Sequence, residues 1–244
     1  GTATATPAAA EEGMEVTLSA EPKTGYHFKE WQVVSGSVTI VNNKFIMPSG
    51  EVLDWMVERA GEEVRERIRT LSADADAQYC KVLHYDVSEL VPMVSCPDAP
   101  DNVKPVTEVA GTHVDQVHIG SCSNGRFEDI KDAYDVLMAG GGKVDPATRV
   151  IITPSTTEVQ LACAKAGMIE KFLEAGIVFT NPTCALCTAE HYGALPNGDV
   201  GCATNNRNFI GKVGKGSHTY LMSPMTAMAT AIRGYITDPR DILG

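Results

Sequence analysis

No stretch of this 244-residue chain reaches 18 consecutive apolar residues, which removes the simplest kind of membrane-spanning segment. Positive charge is also short: 20 Lys and Arg face 31 Asp and Glu, a net charge of −11. With no basic patch to offset it, neither nucleic acid nor an anionic membrane surface is expected as a partner. The first residues show neither a charged n-region nor an apolar h-region, so no secretory leader is expected. An even cysteine set is lacking too. Seven cysteines (80, 96, 122, 163, 184, 187 and 202) stand in a chain large enough to need no staples. That favours thiols or metal ligands in a reducing, cytoplasmic setting over a disulfide framework.

What is present centres on Gly120-Ser121-Cys122-Ser123-Asn124-Gly125-Arg126, answered further on by Cys184-Ala185-Leu186-Cys187. The first piece lies where an apolar strand over 114–119 hands over to a helix over 127–138. Its Ser, Asn and Gly are turn and cap residues, which predicts Cys122 at or near a helix N-terminus. There the helix dipole favours a thiolate. The second piece follows the apolar run Ile177-Val178-Phe179 and the breaker Asn181-Pro182. Two loops presenting three thiolates suit a soft metal centre.

Along the chain, residues 1–50 read as a small β-rich segment. A Thr/Ala-rich start, extended and frayed, precedes alternating stretches over 14–20 and 26–33 and short strands at 38–41 and 44–47. Phe28 and Trp31 are expected core residues. Residues 51–97 read as a helical segment split at Gly61, a strand over 81–87, and a proline-rich connection over 92–105. Residues 98–244 alternate strands (115–120, 149–153, 177–180, 200–204) with helices (127–139, 158–166, 169–175, 224–235). This predicts an α/β domain on a parallel sheet, with functional loops at the carboxyl ends of the strands. Gly140 to Gly142 read as a helix C-cap and not a phosphate cradle.

Several ordered motifs carry a family resemblance: "PDNVKPVTEV", "IGSCSNGRFEDI", "NPTCALC", "ATNNRNFIGKVG", and "SPMTAMATAI" followed by "DPRDIL". Through them residues 73–244 resemble the aconitase superfamily, closest to the large subunits of 3-isopropylmalate dehydratase and homoaconitase. Residues 1–50 resemble an InlB-type B-repeat through "GYHFKEWQVVSG" and "NKFIMPSG". The first resemblance implies a hydro-lyase of leucine or related amino-acid biosynthesis. Three cysteines, here Cys122, Cys184 and Cys187, would hold a [4Fe–4S] cluster whose fourth iron is open as a Lewis acid. Asn206 and Arg207 would contact cluster and substrate carboxylate. Lys212 stands where the family has a second arginine, keeping the charge without the fork. Ser123, Asn124 and Arg126 would shape the site. The substrate class is a hydroxy di- or tricarboxylate such as isopropylmalate, and the partner a small, swivelling-domain subunit that supplies the base. No residue of this chain is assigned a catalytic proton transfer, and activity without that subunit is not expected.

Two competing readings stand beside this one. A zinc site could join the Cys184–Cys187 pair with Cys202 or His191, or the chain could be a metal-free binding module retaining the fold. Cys80 and Cys163 are expected in the core, and Cys96 and Cys202 in the core or at the surface. His118, inside a strand, is expected to be a satisfied core histidine, and His191 and His218 loop residues.

Overall fold

The computed structural model describes residues 2–6, 15–21, 39–41, 44–46, 50–69, 90–187 and 193–244. The chain divides into two compact units, residues 1–85 and 86–244. The expected strands over 26–33 and 81–87, with Phe28, Trp31, Cys80 and His191, lie outside the described residues.

The first unit contains strands β1 (Thr2–Thr6), β2 (Glu15–Glu21), β3 (Thr39–Val41) and β4 (Lys44–Ile46) and helices α1 (Gly50–Ala60) and α2 (Glu63–Arg69). The strands form one sheet in the order β1-β2-β4-β3, every pairing antiparallel. The Thr/Ala start is therefore a paired strand and not a frayed end, since threonine at alternate positions suits a pleated surface. Gly61, at φ +88, parts the two helices as its sequence position suggested.

In the second unit the elements are β5 (Met93–Ser95), β6 (Val103–Pro105), α3 (Val106–Val109), β7 (Gln116–Ile119), α4 (Phe127–Ala139), β8 (Arg149–Ile152), α5 (Thr157–Lys165), α6 (Met168–Glu174), β9 (Val178–Phe179), β10 (Val200–Ala203), β11 (His218–Leu221), α7 (Pro224–Arg233) and α8 (Arg240–Leu243). Seven strands form one sheet in the order β6-β5-β11-β10-β7-β8-β9. From β11 to β9 the pairings are parallel, and β5 and β6 add an antiparallel edge.

Two expectations need correction here. The proline-rich stretch 92–105 is not merely a connection, because it contains β5 and β6. Its prolines avoid interior positions: Pro92 precedes β5, Pro97 and Pro100 sit in the turn, and Pro105 ends the edge strand, where a missing donor does least harm. His218 is not a loop residue but opens β11, whose Thr219 and Leu221 pair with Gly201 and Ala203.

The sheet has two unlike faces, and period-two alternation assigns them. Val117 and Ile119 of β7 join Val150, Ile152 and Cys202 in a core sealed by Ile130 and Leu137 of α4, Phe172 of α6 and Met228 of α7. Phe172 meets Tyr134 edge-on at 5.8 Å and stacks on Phe179 at 6.0 Å. The intervening side chains, Gln116 and His118, turn to the other face. There the covering is loop: the Gln116 amide donates to the Gly193 carbonyl at 2.6 Å, and Leu186, Leu195, Ala203 and Val213 form a second small cluster. Cys163 and Cys202 are buried in the main core. Burial raises both thiols, Cys163 to about 11.

Glycine closes α4 as expected, the Gly140 N–H donating to the Val136 carbonyl at 2.9 Å. Helix α7 starts at Ser223, whose hydroxyl accepts from the Thr226 N–H at 3.2 Å. It stops at Gly234, at φ +77.

Candidate functional site

The carboxyl end of β7 runs into a loop pressed flat against the next strand. Gly120 has φ +91, and a Cβ there would come within 2.1 Å of the Thr153 carbonyl oxygen. A Cβ on Gly125 would come within 2.4 Å of the same oxygen. Between the glycines the buried Ser121 hydroxyl accepts from the N–H groups of Ser123 and Asn124, at 3.4 and 3.3 Å. The hairpin this makes leaves Cys122 exposed. Helix α4 begins only at Phe127, with the Arg126 N–H held by the Asp129 carboxylate at 3.0 Å. Cys122 thus stands upstream of the helix and does not cap it.

A second loop, after β10, is stitched to this one. The Gly120 N–H donates to the Thr204 hydroxyl at 2.8 Å. Asn124 donates through Nδ2 to the Thr204 carbonyl at 2.5 Å and to Asn206 Oδ1 at 2.8 Å. Asn206 in turn donates to the Ser123 hydroxyl at 2.8 Å. Asn208, buried, anchors the loop from beneath, donating to the carbonyls of Cys96 (2.8 Å) and Thr219 (3.1 Å). Neighbouring asparagines thus tie the loop in two directions, Asn206 to the Cys122 hairpin and Asn208 to the β5–β11 side.

The third loop follows β9. The Thr183 hydroxyl accepts from the Ala185 N–H at 2.8 Å, and Ala185 takes the left-handed conformation, φ +49. A short 3-10 turn over Ala185–Cys187 follows, closed by the Cys187 N–H on the Cys184 carbonyl at 3.0 Å. Lys212 reaches across from the β10 loop and donates to the Cys187 carbonyl. Three loops at the carboxyl ends of parallel strands therefore converge, where ligand sites of open α/β sheets form.

At the meeting point lies a cavity of about 440 Å³ lined by Leu186, Cys187, Asn205, Asn206, Arg207 and Lys212. The Cys187 thiol is held above its ordinary value by burial first, then by the charges of Cys122 and Cys184 and a hydrogen bond with Cys122; Lys212 pulls the other way. Cys122 and Cys184 are thus each within electrostatic reach of Cys187. Among the described residues no three His, Cys, Asp or Glu side chains are gathered closely enough to share one metal ion. A single zinc needs its sulfurs within about 4 Å of one another, given Zn–S bonds of about 2.3 Å in a tetrahedron. A polynuclear cluster spreads its thiolates over separate irons. Among the described residues the donor set is three soft sulfurs with amide and cationic donors around them, which fits such a cluster. The zinc alternative through Cys202 fails on position, because that thiol is in the main core.

Of the expected site residues, Cys187, Asn206, Arg207 and Lys212 line the cavity. Cys122, Ser123 and Asn124 form the neighbouring hairpin. Arg126 is exposed, and its backbone, not its side chain, makes the bond to Asp129. Asn205, Asn208, Ser121 and Thr204 were not singled out from sequence. The signal for them was a run of polar residues directly after an apolar strand, which usually reads as an ordinary loop.

His118 departs from the satisfied histidine expected. It is fully buried, and its Nε2 meets the Thr153 hydroxyl at 3.0 Å while Nδ1 has no partner. Burial holds its pKa down to about 4, from 6.5. In the unfolded chain the imidazole takes its proton at higher pH. His118 therefore contributes its full stability above pH 6.5 and loses it as pH falls toward 4. Between pH 7.5 and 5 the loss should be about 2 kcal/mol. Urea midpoints of wild type and His118→Gln should show that difference, the variant lacking the histidine part of the slope; parallel pH profiles would refute it.

The class is that of an open α/β domain, a mostly parallel sheet with thiol-bearing loops at its carboxyl edge. The comparisons with known proteins are more particular. Residues 104–234 match the model of the aconitase family (aconitate hydratase), and residues 1–53 match the divergent InlB B-repeat domain. The chain belongs to the aconitase family. It is 44% identical over 203 residues to a 3-isopropylmalate dehydratase large subunit of Geobacter sulfurreducens, covering 81% of this chain and 47% of that one. To a probable methanogen homoaconitase large subunit of Methanothermobacter thermautotrophicus it is 41% identical over 220 residues, 86% of this chain and 50% of that one. A 3-isopropylmalate dehydratase large subunit of Methanopyrus kandleri is 45% identical over 199 residues, 81% of this chain and 46% of that one. The chain spans about half the length of the curated relatives it matches. No described helix is long and apolar enough to cross a membrane.

Proposed function

We propose that this chain is the cluster-holding part of an aconitase-type hydro-lyase large subunit, acting in the cytoplasm on a hydroxy di- or tricarboxylate such as isopropylmalate, in leucine or related amino-acid biosynthesis. The observation that carries the reading is the convergence of Cys122, Cys184 and Cys187 beside a cavity whose charged side chains, Arg207 and Lys212, are both cationic. Cys122, Cys184 and Cys187 would hold a [4Fe–4S] cluster. By the family resemblance, that cluster would supply, when bound, a Lewis-acidic iron with an open position.

The chain's own residues supply binding and placement. Arg207 offers a planar fork suited to one carboxylate. Lys212 offers a point charge, and its bond to the Cys187 carbonyl fixes the distance between that charge and the thiol loop. Asn206, tied to both Ser123 and Asn124, holds the Cys122 hairpin against the cavity wall. None of these groups is a suitable general base: two are cations and the others amides or hydroxyls in use. The family resemblance assigns the proton transfer to a small-subunit partner, and turnover by this chain alone is not expected.

Anaerobic reconstitution tests the reading. Supplied with iron and sulfide, the chain should take up about three to four irons with acid-labile sulfide and turn brown, losing colour in air. One tightly held zinc without sulfide would instead support a binding module that keeps the fold.

A further inference from the structure

The two loops that carry thiols share one point of reference, Thr153 at the end of β8. Its carbonyl is the surface against which Gly120 and Gly125 press, and the Ser155 N–H donates to the Gly125 carbonyl at 2.8 Å. Those contacts fix the Cys122 hairpin. The hydroxyl of the fully buried Thr153 belongs to a second set. It meets His118 Nε2 at 3.0 Å and the Thr180 hydroxyl at 2.9 Å, and Thr180 in turn donates to the Asn181 carbonyl at 3.0 Å.

The direction of the protons follows from the far end. A carbonyl only accepts, so the single Thr180 hydroxyl proton goes to Asn181. Thr153 must then give its proton to Thr180, and its oxygen accepts from His118, which puts the imidazole proton on Nε2. Nδ1 is left as a bare lone pair, in keeping with its lack of a partner. One ordered chain therefore runs from His118 through Thr153 and Thr180 to Asn181, crossing from β7 over β8 to the exit of β9.

What the chain holds is the start of the loop with Cys184 and Cys187. Asn181 precedes Pro182 and is thereby confined to extended backbone. Its side chain is held by Gln160 of α5 at 3.1 Å, which leaves its carbonyl to Thr180. The direction of that carbonyl sets the direction in which the residues leading to Cys184 depart. Valine would fill either threonine's extended position at least as well, so the hydroxyls serve something other than packing. Resting on the three-thiolate reading above, we infer that Thr153 and Thr180 are positioning residues that set the Cys184–Cys187 loop at its working distance from the Cys122 hairpin. Groups of this kind, behind the ligands, govern how well a centre is held.

The test reads thiol spacing in the metal-free full chain. Dibromobimane, a short bifunctional thiol reagent, should join Cys122 to Cys187, the pair between which a hydrogen bond runs. Peptide mapping follows the rate of that link. Thr180→Val should slow it at least about tenfold, since small displacements weigh heavily on reactions between held groups. Thr153→Val should slow it too, whereas Thr180→Ser, which keeps the hydroxyl, should react within about twofold of wild type. Thr148→Val is the control for a merely structural role. Its hydroxyl is also buried, donating to the Val114 carbonyl at 3.1 Å, but at the opposite end of β8. It should lose about 2–6 °C of melting temperature, as Thr153→Val does, without slowing the link.

Linking of Thr180→Val at the wild-type rate, equal slowing in Thr148→Val, or a Thr180→Ser that behaves like Thr180→Val overturns the inference. Anaerobic reconstitution of the same chains separates the underlying reading. The cluster of Thr180→Val should release its iron to a chelator at least about tenfold faster than that of wild type, and equal release also overturns the inference. If wild type takes up no iron but the linking pattern holds, the cluster reading fails and the positioning role stands for the thiols alone. If wild type forms no Cys122–Cys187 link, the inference falls whatever iron is bound.

Discussion

Cys184→Ser should reduce iron uptake on anaerobic reconstitution from about three to four atoms per chain to below one, while leaving the fold intact. The cysteine is exposed and makes no core contact, so the substitution should cost no more than about 0.5 kcal/mol of stability. Serine keeps the size but is a poor ligand for a soft metal centre at neutral pH. Loss of the visible chromophore at unchanged melting temperature would therefore report ligation and not unfolding. Cys163→Ser gives the opposite pattern. Its thiol is buried in the main core, so stability should fall by about 1–3 kcal/mol with the iron content of the folded chain preserved. If Cys184→Ser retains its iron, the three-thiolate centre is wrong.

Gly120→Ala should be the most disruptive small substitution in the β7 loop. Two costs add. Alanine at φ +91 loses about 1–2 kcal/mol to the left-handed conformation. Its Cβ would also stand 2.1 Å from the Thr153 carbonyl oxygen, a backbone atom that cannot swing aside. Together these should cost about 3–5 kcal/mol, lowering the melting temperature by about 10 °C. Gly141→Ala is the control: it has φ +92 with nothing within 4 Å of the added carbon, and should cost only the first part. Equal melting temperatures for the two variants would show that the hairpin is not clamped on β8. A folded fraction of Gly120→Ala should also bind iron poorly, because displacing the hairpin moves Cys122 away from Cys187.

The two effects differ in how visible their causes were in the sequence. The grouping of the three cysteines was legible because thiols between turn residues, twice, on either side of strand-helix alternation, are hard to explain as core. The clamp at Gly120 was not. A glycine after a strand marks a turn, but which backbone it must approach depends on β8 arriving alongside β7. The pairing of His118 with Ile151 sets that register.

Local pattern determined most of the alternation in residues 98–244, since apolar periodicity and glycine stops act over a few residues. The helix boundaries at Gly140, Gly167 and Gly176 needed nothing else, whereas the helix expected over 224–235 overran its stop at Gly234. Proline misled the reading of residues 92–105, because its lost donor is harmless at a strand end or sheet edge, and edge position is a tertiary property. His218 misled for a similar reason: β11 is a strand because β10 and β5 lie on either side to accept its hydrogen bonds. By itself the chain's sequence determined which residue types could hold a soft metal and where its strands and helices alternate. Only the tertiary structure decided that loops after β7, β9 and β10 meet over one cavity, and that Asn206 and Asn208 are structural ties while Asn205 is left with a free amide. Three neighbouring asparagines are chemically identical in a sequence. What distinguishes them is which surface each faces, and that is set by strands paired across about a hundred residues of chain.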